Sequence, residues 1–290
     1  YNKELYFLEG WTIMTHNYQF ASIADNTHGP IPTNIEISEQ VFNNYYVLIR
    51  HLKPLTNLYK VFNMVKTERW TLAELPKRFY DNKIPFNTLL DYAERHAILY
   101  VIMHIIFIHN TQNFIEHNLD KKQIFKESKH CRNIRAIRNY ADHCNVPITT
   151  SGFNLELSNS KMTLSFPLTV KKEDLVSFDD LHKETRKIIN SWKNHEIRLD
   201  LEIASAWKDL VFLFNKIKEE YIKKFVPKDS LKQVVDDKAL FGQQLFPMRI
   251  TGVLDLHPQH KGWNFEYFED DTVFNDLINL ILKMNTNAIN

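Results

Sequence analysis

The sequence predicts a mainly α-helical protein: a helical bundle with an inserted β-hairpin, followed by a small α+β C-terminal part. Three observations predict it. Only 6 of the 290 residues are glycine, which disfavours turn-dense sandwiches and doubly wound folds with glycine loops. Long stretches place apolar residues at helical spacing, as in Ile203, Trp207, Leu210, Phe214, Ile217 and Tyr221. Period-two alternation is confined to short runs, chiefly Phe153-Asn-Leu-Glu-Leu157 and Met162-Thr-Leu-Ser-Phe166.

Taken from the N-terminus, residues 1–37 form a mixed extension in which Gly29-Pro30-Ile31-Pro32 reads as an extended or turn element. Ser38 is suited to cap a helix whose buried side carries Val41, Phe42, Tyr45, Tyr46, Ile49 and Leu52. Pro54 is expected to kink or break it before an apolar continuation through Val65. Pro85 suits the first turn of the next helix, which runs to about Asn118 and is apolar nearly all round in its middle, as a central bundle member would be. A further helix is expected from about Lys121 to Cys144, stopped by Pro147. The two alternating runs then read as a hairpin near 153–166, turning at Ser158-Asn-Ser-Lys161. Helices resume at Ser177, a cap by type, and a long amphipathic helix spans about Leu199 to Phe225, closed by Pro227. Residues 226–290 read as two strands, Met248 to Leu256 and Trp263 to Phe268, and a terminal helix from Thr272 to Met284. This tail either packs on the bundle formed by residues 38–225 or makes a small appendage.

With 44% apolar and 24% charged residues, the chain has the composition of a soluble globular protein. A net charge of +1 gives no global field for a polyanion, which argues against a coat on long nucleic acid but says little about a local site. Cys131 and Cys144 lie 13 residues apart in one expected helix. That is about 20 Å along its axis, too far for a disulfide, so both read as buried thiols in a reducing, cytoplasmic setting. The most apolar run, Ala97 to Ile108, is interrupted by His104 and falls short of the roughly 20 residues a membrane span needs; it reads as a core helix, with no membrane partner expected.

The most informative residues are Arg138-Asn139-Tyr140-Ala141-Asp142-His143. On a helical wheel at about 100° per residue, Ile134, Ile137, Ala141 and Cys144 make the core stripe. Arg132, Arg135, Asn139, Asp142 and His143 fall beside Arg138 on another arc. A solvated face is the ordinary reading of such an arc. Against it, only 10 of the 36 basic residues are arginine, yet three of those occupy positions 132 to 138. Arginine carries a planar fork that grips phosphate or carboxylate bidentately and never loses its charge. One acid, Asp142, does not neutralise three guanidiniums, although an Arg138–Asp142 pair at i,i+4 would account for part of the pattern structurally. The helix end favours a charged His143 and the arginines oppose it, so the direction of its shift stays open; an imidazole whose reference pKa is about 6.5 suits proton shuttling near neutral pH.

Arg138-Asn-Tyr-Ala-Asp-His143, near the end of an amphipathic helix, resembles the R-x(4–6)-H motif of the HEPN superfamily, with the polar Asn139 directly after the arginine as in that family. The resemblance covers about residues 85–150. It implies a HEPN-like helical core over 38–225, and a homodimer whose two motifs face each other. It also implies metal-independent RNA cleavage in a toxin or anti-phage role, with an antitoxin or regulatory protein as a further partner. In that reading Arg138 and His143 are catalytic, Asn139 orients His143, and Arg132 and Arg135 bind RNA phosphates, with no cofactor. The alternative is a catalytically silent scaffold that binds RNA, a nucleotide or a protein through the same arginine face.

Other clusters carry less. His104, His109 and His117 are five and eight residues apart, so none faces another at i,i+4, and they read as satisfied core or boundary histidines. His257-Pro-Gln-His260, with Asp255 nearby, lacks two further ligands for a metal. Trp263-Asn-Phe-Glu-Tyr-Phe268 could stack on bases but reads better as a strand packing alternate rings. There is no phosphate-cradling glycine loop, zinc-spaced cysteine pair or nucleophile elbow.

Overall fold

A computed structural model describes residues 7–8, 11–12, 17–22, 31–81, 83, 85–119, 127–141, 146, 148–150, 154–158, 161–165, 167–179, 181–241, 246–257 and 260–267. The protein is mainly helical, with a small three-stranded antiparallel sheet. Its contacts divide it into two compact units: residues 1–56 with 222–290, and residues 57–221.

In the first unit the strands β1 (Phe7–Leu8) and β2 (Trp11–Thr12) pair with each other. β3 (Asn17–Ser22), β4 (Ile31–Glu36), β10 (Phe246–His257) and β11 (His260–Tyr267) form an antiparallel sheet in the order β11-β10-β3-β4. N-terminal and C-terminal segments thus share one sheet, with Met248 opposite Gln19. Pro32 falls on β4, which has one neighbour in the order and so is an edge strand, the position in a sheet where proline is tolerated. The start of α1 (Glu39–Tyr80) and α7 (Lys228–Phe241) belong to this unit. Ser38 does cap α1, its Oγ accepting from the Val41 N–H at 3.2 Å. Phe42, Tyr45, Leu48 and Leu52 are buried; burial first, and the Asp237 carboxylate of α7 second, push the Tyr45 phenol up. The sequence reading missed α7, and its expected terminal helix from Thr272 to Met284 lies outside the described residues.

Pro54 does not break α1. The helix is continuous for 42 residues and runs well beyond Val65. Proline removes one i→i−4 bond and its ring crowds the preceding turn, together costing about 3 kcal/mol in a helix interior. The carbonyl it cannot bond belongs to exposed Arg50, while Leu48, Leu52, Leu55 and Leu58 are buried on either side, so packing outweighs the loss.

In the second unit, the rest of α1, α2 (Phe86–Asn118), α3 (Lys129–Ala141) and α6 (Leu199–Phe225) build an aromatic-rich core. Pro85 precedes α2 as expected, and α6 has the bounds its amphipathic pattern gives. Phe62 of α1, Phe107 of α2 and Phe214 of α6 meet in that core, the Phe62 and Phe214 rings stacking at 4.5 Å. α2 is, among the described residues, the one helix long and apolar enough to cross a membrane. It buries Ala97, Tyr100, Val101, Phe107 and Ile108 against its neighbours, as a core helix does.

β5 (Ile148–Thr150), β8 (Leu168–Lys171) and β9 (Glu196–Arg198) form the three-stranded sheet, in the order β5-β8-β9. β6 (Asn154–Ser158) and β7 (Lys161–Ser165) form the expected hairpin, with Ser158 opposite Lys161. Two short helices, α4 (Lys172–Val176) and α5 (Lys183–Asn190), separate β8 from β9. Here Ser177 ends α4 rather than starting a helix: its Oγ donates back to the Asp174 carbonyl at 2.8 Å, and His182 caps α5 instead.

His104 departs from its reading as a satisfied histidine. It is fully buried on α2, and neither ring nitrogen has a hydrogen-bond partner. Burial pushes its imidazole down to about 3, the Arg135 guanidinium adding to the shift. Unfolded, the ring titrates near 6.5. Between these values the unfolded chain binds a proton that the folded protein refuses. Its contribution therefore favours the fold most above pH 6.5 and is progressively lost as pH falls through 6.5 towards 3. At pH 5 the loss is about 2 kcal/mol, at about 1.4 kcal/mol per pH unit. His104→Leu is expected to remove that dependence. In urea unfolding at pH 7.5 and 5.0, the variant should gain about 2 kcal/mol on the wild type between the two pH values. Parallel pH profiles would sink the assignment.

Candidate functional site

The motif helix is shorter at its N-terminus than the sequence suggested. Ser128, not a residue near 121, starts it. The Ser128 Oγ accepts from the Cys131 N–H at 3.1 Å and its carbonyl from the Arg132 N–H at 3.0 Å, satisfying two of the first-turn donors. Cys131, Ile134, Ala136, Ile137 and Tyr140 are buried, where α3 packs on α2 and α5. Arg132 is exposed, and Arg135, Arg138 and Asn139 are half-buried. Across the described turns Ile134 and Ile137 are buried and Arg132 is exposed as the wheel has them, whereas Ala141, expected on the core stripe, is half-buried and Cys131, on the arginine side of the wheel, is buried. Asp142, His143, Cys144, Asn145 and Pro147 lie outside the described residues, so the spacing between the Arg138 guanidinium and the His143 ring does too.

The arc has partners that the wheel did not supply. The Arg135 guanidinium lies 3.0 Å from a Glu127 carboxylate oxygen, just before the helix. Burial pushes the Glu127 carboxyl up, while Arg135 and then Arg132 pull it back down. Glu127 is thus an acid beside the arginines that the wheel did not count. The Asn139 amide nitrogen donates to Thr185 Oγ1 of α5 at 2.9 Å, tying the residue after Arg138 to a neighbouring helix. Tyr140 meets the Phe178 ring edge-on at 5.7 Å. Arg138 is engaged with its surroundings as well.

A second set of bonds fixes α3 from its core side. Glu202 Oε2 accepts from His130 Nδ1 at 2.8 Å and from Asn133 Nδ2 at 3.2 Å. Asn133 Oδ1 in turn accepts from the Trp192 indole N–H at 3.0 Å. A buried asparagine inside an otherwise apolar stripe was the sequence signal for this network. Asn133→Ala leaves the Trp192 donor without its acceptor and is expected to cost about 1–3 kcal/mol. Urea titration followed by tryptophan fluorescence measures it; a change within about 0.5 kcal/mol, the range of surface substitutions, would count against the network. Cys131 is a buried thiol as expected, pushed up to about 11 chiefly by burial, and so unreactive at neutral pH.

No family model, curated protein or solved structure matches the chain. The site therefore rests on its own chemistry. Three guanidiniums stand on one helix: Arg132 is exposed, Arg135 faces Glu127, and Arg138 is engaged with its surroundings; the guanidinium fork is a shape that suits phosphate or carboxylate. Among the described residues no group of three or more His, Cys, Asp or Glu side chains is placed to hold a metal ion. His257 and His260 end paired strands opposite each other, while His109 and His117 are exposed on α2.

Proposed function

We propose that the protein is a metal-independent endoribonuclease of HEPN type. It would have a HEPN-like helical bundle, act as a cytoplasmic homodimer, and serve as a toxin or anti-phage effector held in check by an antitoxin or regulatory protein. The observation that carries this reading is the sorting of α3 into a buried stripe and an arginine arc, with Arg138 one and a half turns before His143 in the sequence.

In this reading Arg138 holds the scissile phosphate and stabilises the charge that builds on it in the transition state. His143 takes the proton of the ribose 2′-OH as that oxygen attacks phosphorus, and the partner subunit's copy of the same residue protonates the departing 5′ oxygen. Arg132 and Arg135 hold flanking phosphates. Asn139, held to Thr185 through its amide nitrogen, orients His143.

The Arg135–Glu127 and Asn139–Thr185 contacts favour a second reading, a catalytically silent scaffold that binds RNA, a nucleotide or a protein partner. Incubation of single-stranded RNA with the purified protein in EDTA separates the two. Cleavage that persists in EDTA and is lost in Arg138→Ala supports the nuclease. Salt-sensitive RNA binding without cleavage supports the scaffold. Neither cleavage nor RNA binding sinks the nuclease and an RNA-binding scaffold together.

A further inference from the structure

The second unit holds a cavity of about 300 Å³, remote in sequence from the arginine arc and independent of the nuclease reading. Leu72 and Leu75 of α1, Ala93 of α2, Leu168 of β8, and Ile203 and Ala204 of α6 give it apolar walls. Exposed Leu201 also borders it. Two charged residues line it, Arg69 and Asp200.

Their states differ. Asp200 is committed: its two oxygens accept from Arg198 Nε at 2.9 Å and Nη2 at 2.7 Å, and Oδ1 also accepts from the Leu168 N–H at 3.3 Å. The Asp200–Arg198 pair is internally neutral. Arg69 has no such match. Its Nε is buried and lacks a hydrogen-bond partner, a costly state for part of a charged group. Arg69 lies near the Tyr100 phenol, whose hydroxyl donates to the Ile203 carbonyl at 3.3 Å on the cavity's α6 side. Asp209, the other charge acting on Tyr100, does not line the cavity and forms no ion pair with Arg69 among the described residues.

We infer that this cavity binds a small amphipathic monoanion, an aliphatic carboxylate whose head meets Arg69 and whose chain lies against the leucine and alanine walls. The volume sits at the small end of ligand pockets and takes about ten water-sized groups, the size of an eight-carbon carboxylate. The Arg69 Nε, without a hydrogen-bond partner, matches one anionic head, whereas a dianion such as a phosphate monoester brings a second negative charge that no further cation of the lining meets.

Calorimetric titration of the 290-residue chain with octanoate, octan-1-ol, octyl phosphate and acetate tests this. Octanoate is expected to bind at one site, about tenfold or more tighter than octanol or octyl phosphate, and acetate not to bind measurably. Arg69→Met should bring octanoate down to the octanol level and leave octanol unchanged. Ala204→Phe, which fills the cavity without touching the charge, should abolish both; it keeps the test decisive if Arg69→Met does not fold. The inference is overturned if octanoate does not bind, if octanol or octyl phosphate binds as well as octanoate, if a folded Arg69→Met keeps octanoate affinity, or if octanoate binding survives Ala204→Phe.

Discussion

His143→Ala is expected to lower RNA cleavage by about 10²–10⁴-fold with folding intact, the range that general acid–base groups contribute. Arg138→Ala should lose about 10²–10³-fold, the effect of removing one preorganised donor from a developing oxyanion. Arg138→Lys keeps the charge but not the fork, so its activity should fall between wild type and Arg138→Ala. Arg132→Ala should act on affinity rather than chemistry. As an exposed phosphate contact, it should reduce the slope of log affinity against log salt by about 0.7 for single-stranded RNA. Arg135→Ala should do more, because it also strands the half-buried Glu127 carboxylate that Arg135 faces at 3.0 Å. Rates come from a fluorescent RNA substrate in EDTA, with circular dichroism reporting the fold. A folded His143→Ala protein that cleaves at the wild-type rate ends the nuclease proposal.

That test turns on residues whose arc was legible in the sequence, whereas the arc's partners were not. Helical spacing alone separates Arg132, Arg135 and Asn139 from Ile134 and Ile137, because a wheel uses only local geometry. Glu127 and Thr185 enter from outside the helix, one before its cap and one from α5, and no local period encodes either. The fold follows the same division. α6 and the start of α2 carry strong periodicity or a proline at the boundary, and their expected limits match. The strands β5, β8 and β9 have three, four and three residues, too few alternations to register as strands, and they gain their identity by pairing across long sequence separations. Pro54 misled in the opposite sense: a local rule for ending helices yielded to buried leucines around it. α7 was legible, with Pro227 before it and Leu231 and Val234 one turn apart, but the run of strand-like residues that follows drew the reading away.

Phe214→Ala is expected to cost about 3–5 kcal/mol. Phe214 is 2% exposed and is the point where α1, α2 and α6 meet. Its ring lies 4.5 Å from Phe62, 5.5 Å from Tyr59 and 6.5 Å from Phe107, and Lys218 Nζ sits 5.8 Å from its centroid. Truncation removes the ring from every one of these contacts at once, and rigid helices on three sides cannot close fully over the space. Against a total stability of about 5–15 kcal/mol, such a loss brings the protein close to unfolding at physiological temperature. The Phe62–Phe214 pair, stacked with an interplanar angle of 14°, should carry its own coupling of about 0.5–1.5 kcal/mol beyond the area each ring buries. A double-mutant cycle with Phe62→Leu and Phe214→Leu, read by urea unfolding, isolates that term and keeps both variants folded more readily than alanine would. Strict additivity of the two leucine substitutions would show that the rings contribute by volume alone. A cost for Phe214→Ala below about 1 kcal/mol, typical of an average substitution, would mean that α6 does not meet α1 and α2 through this residue.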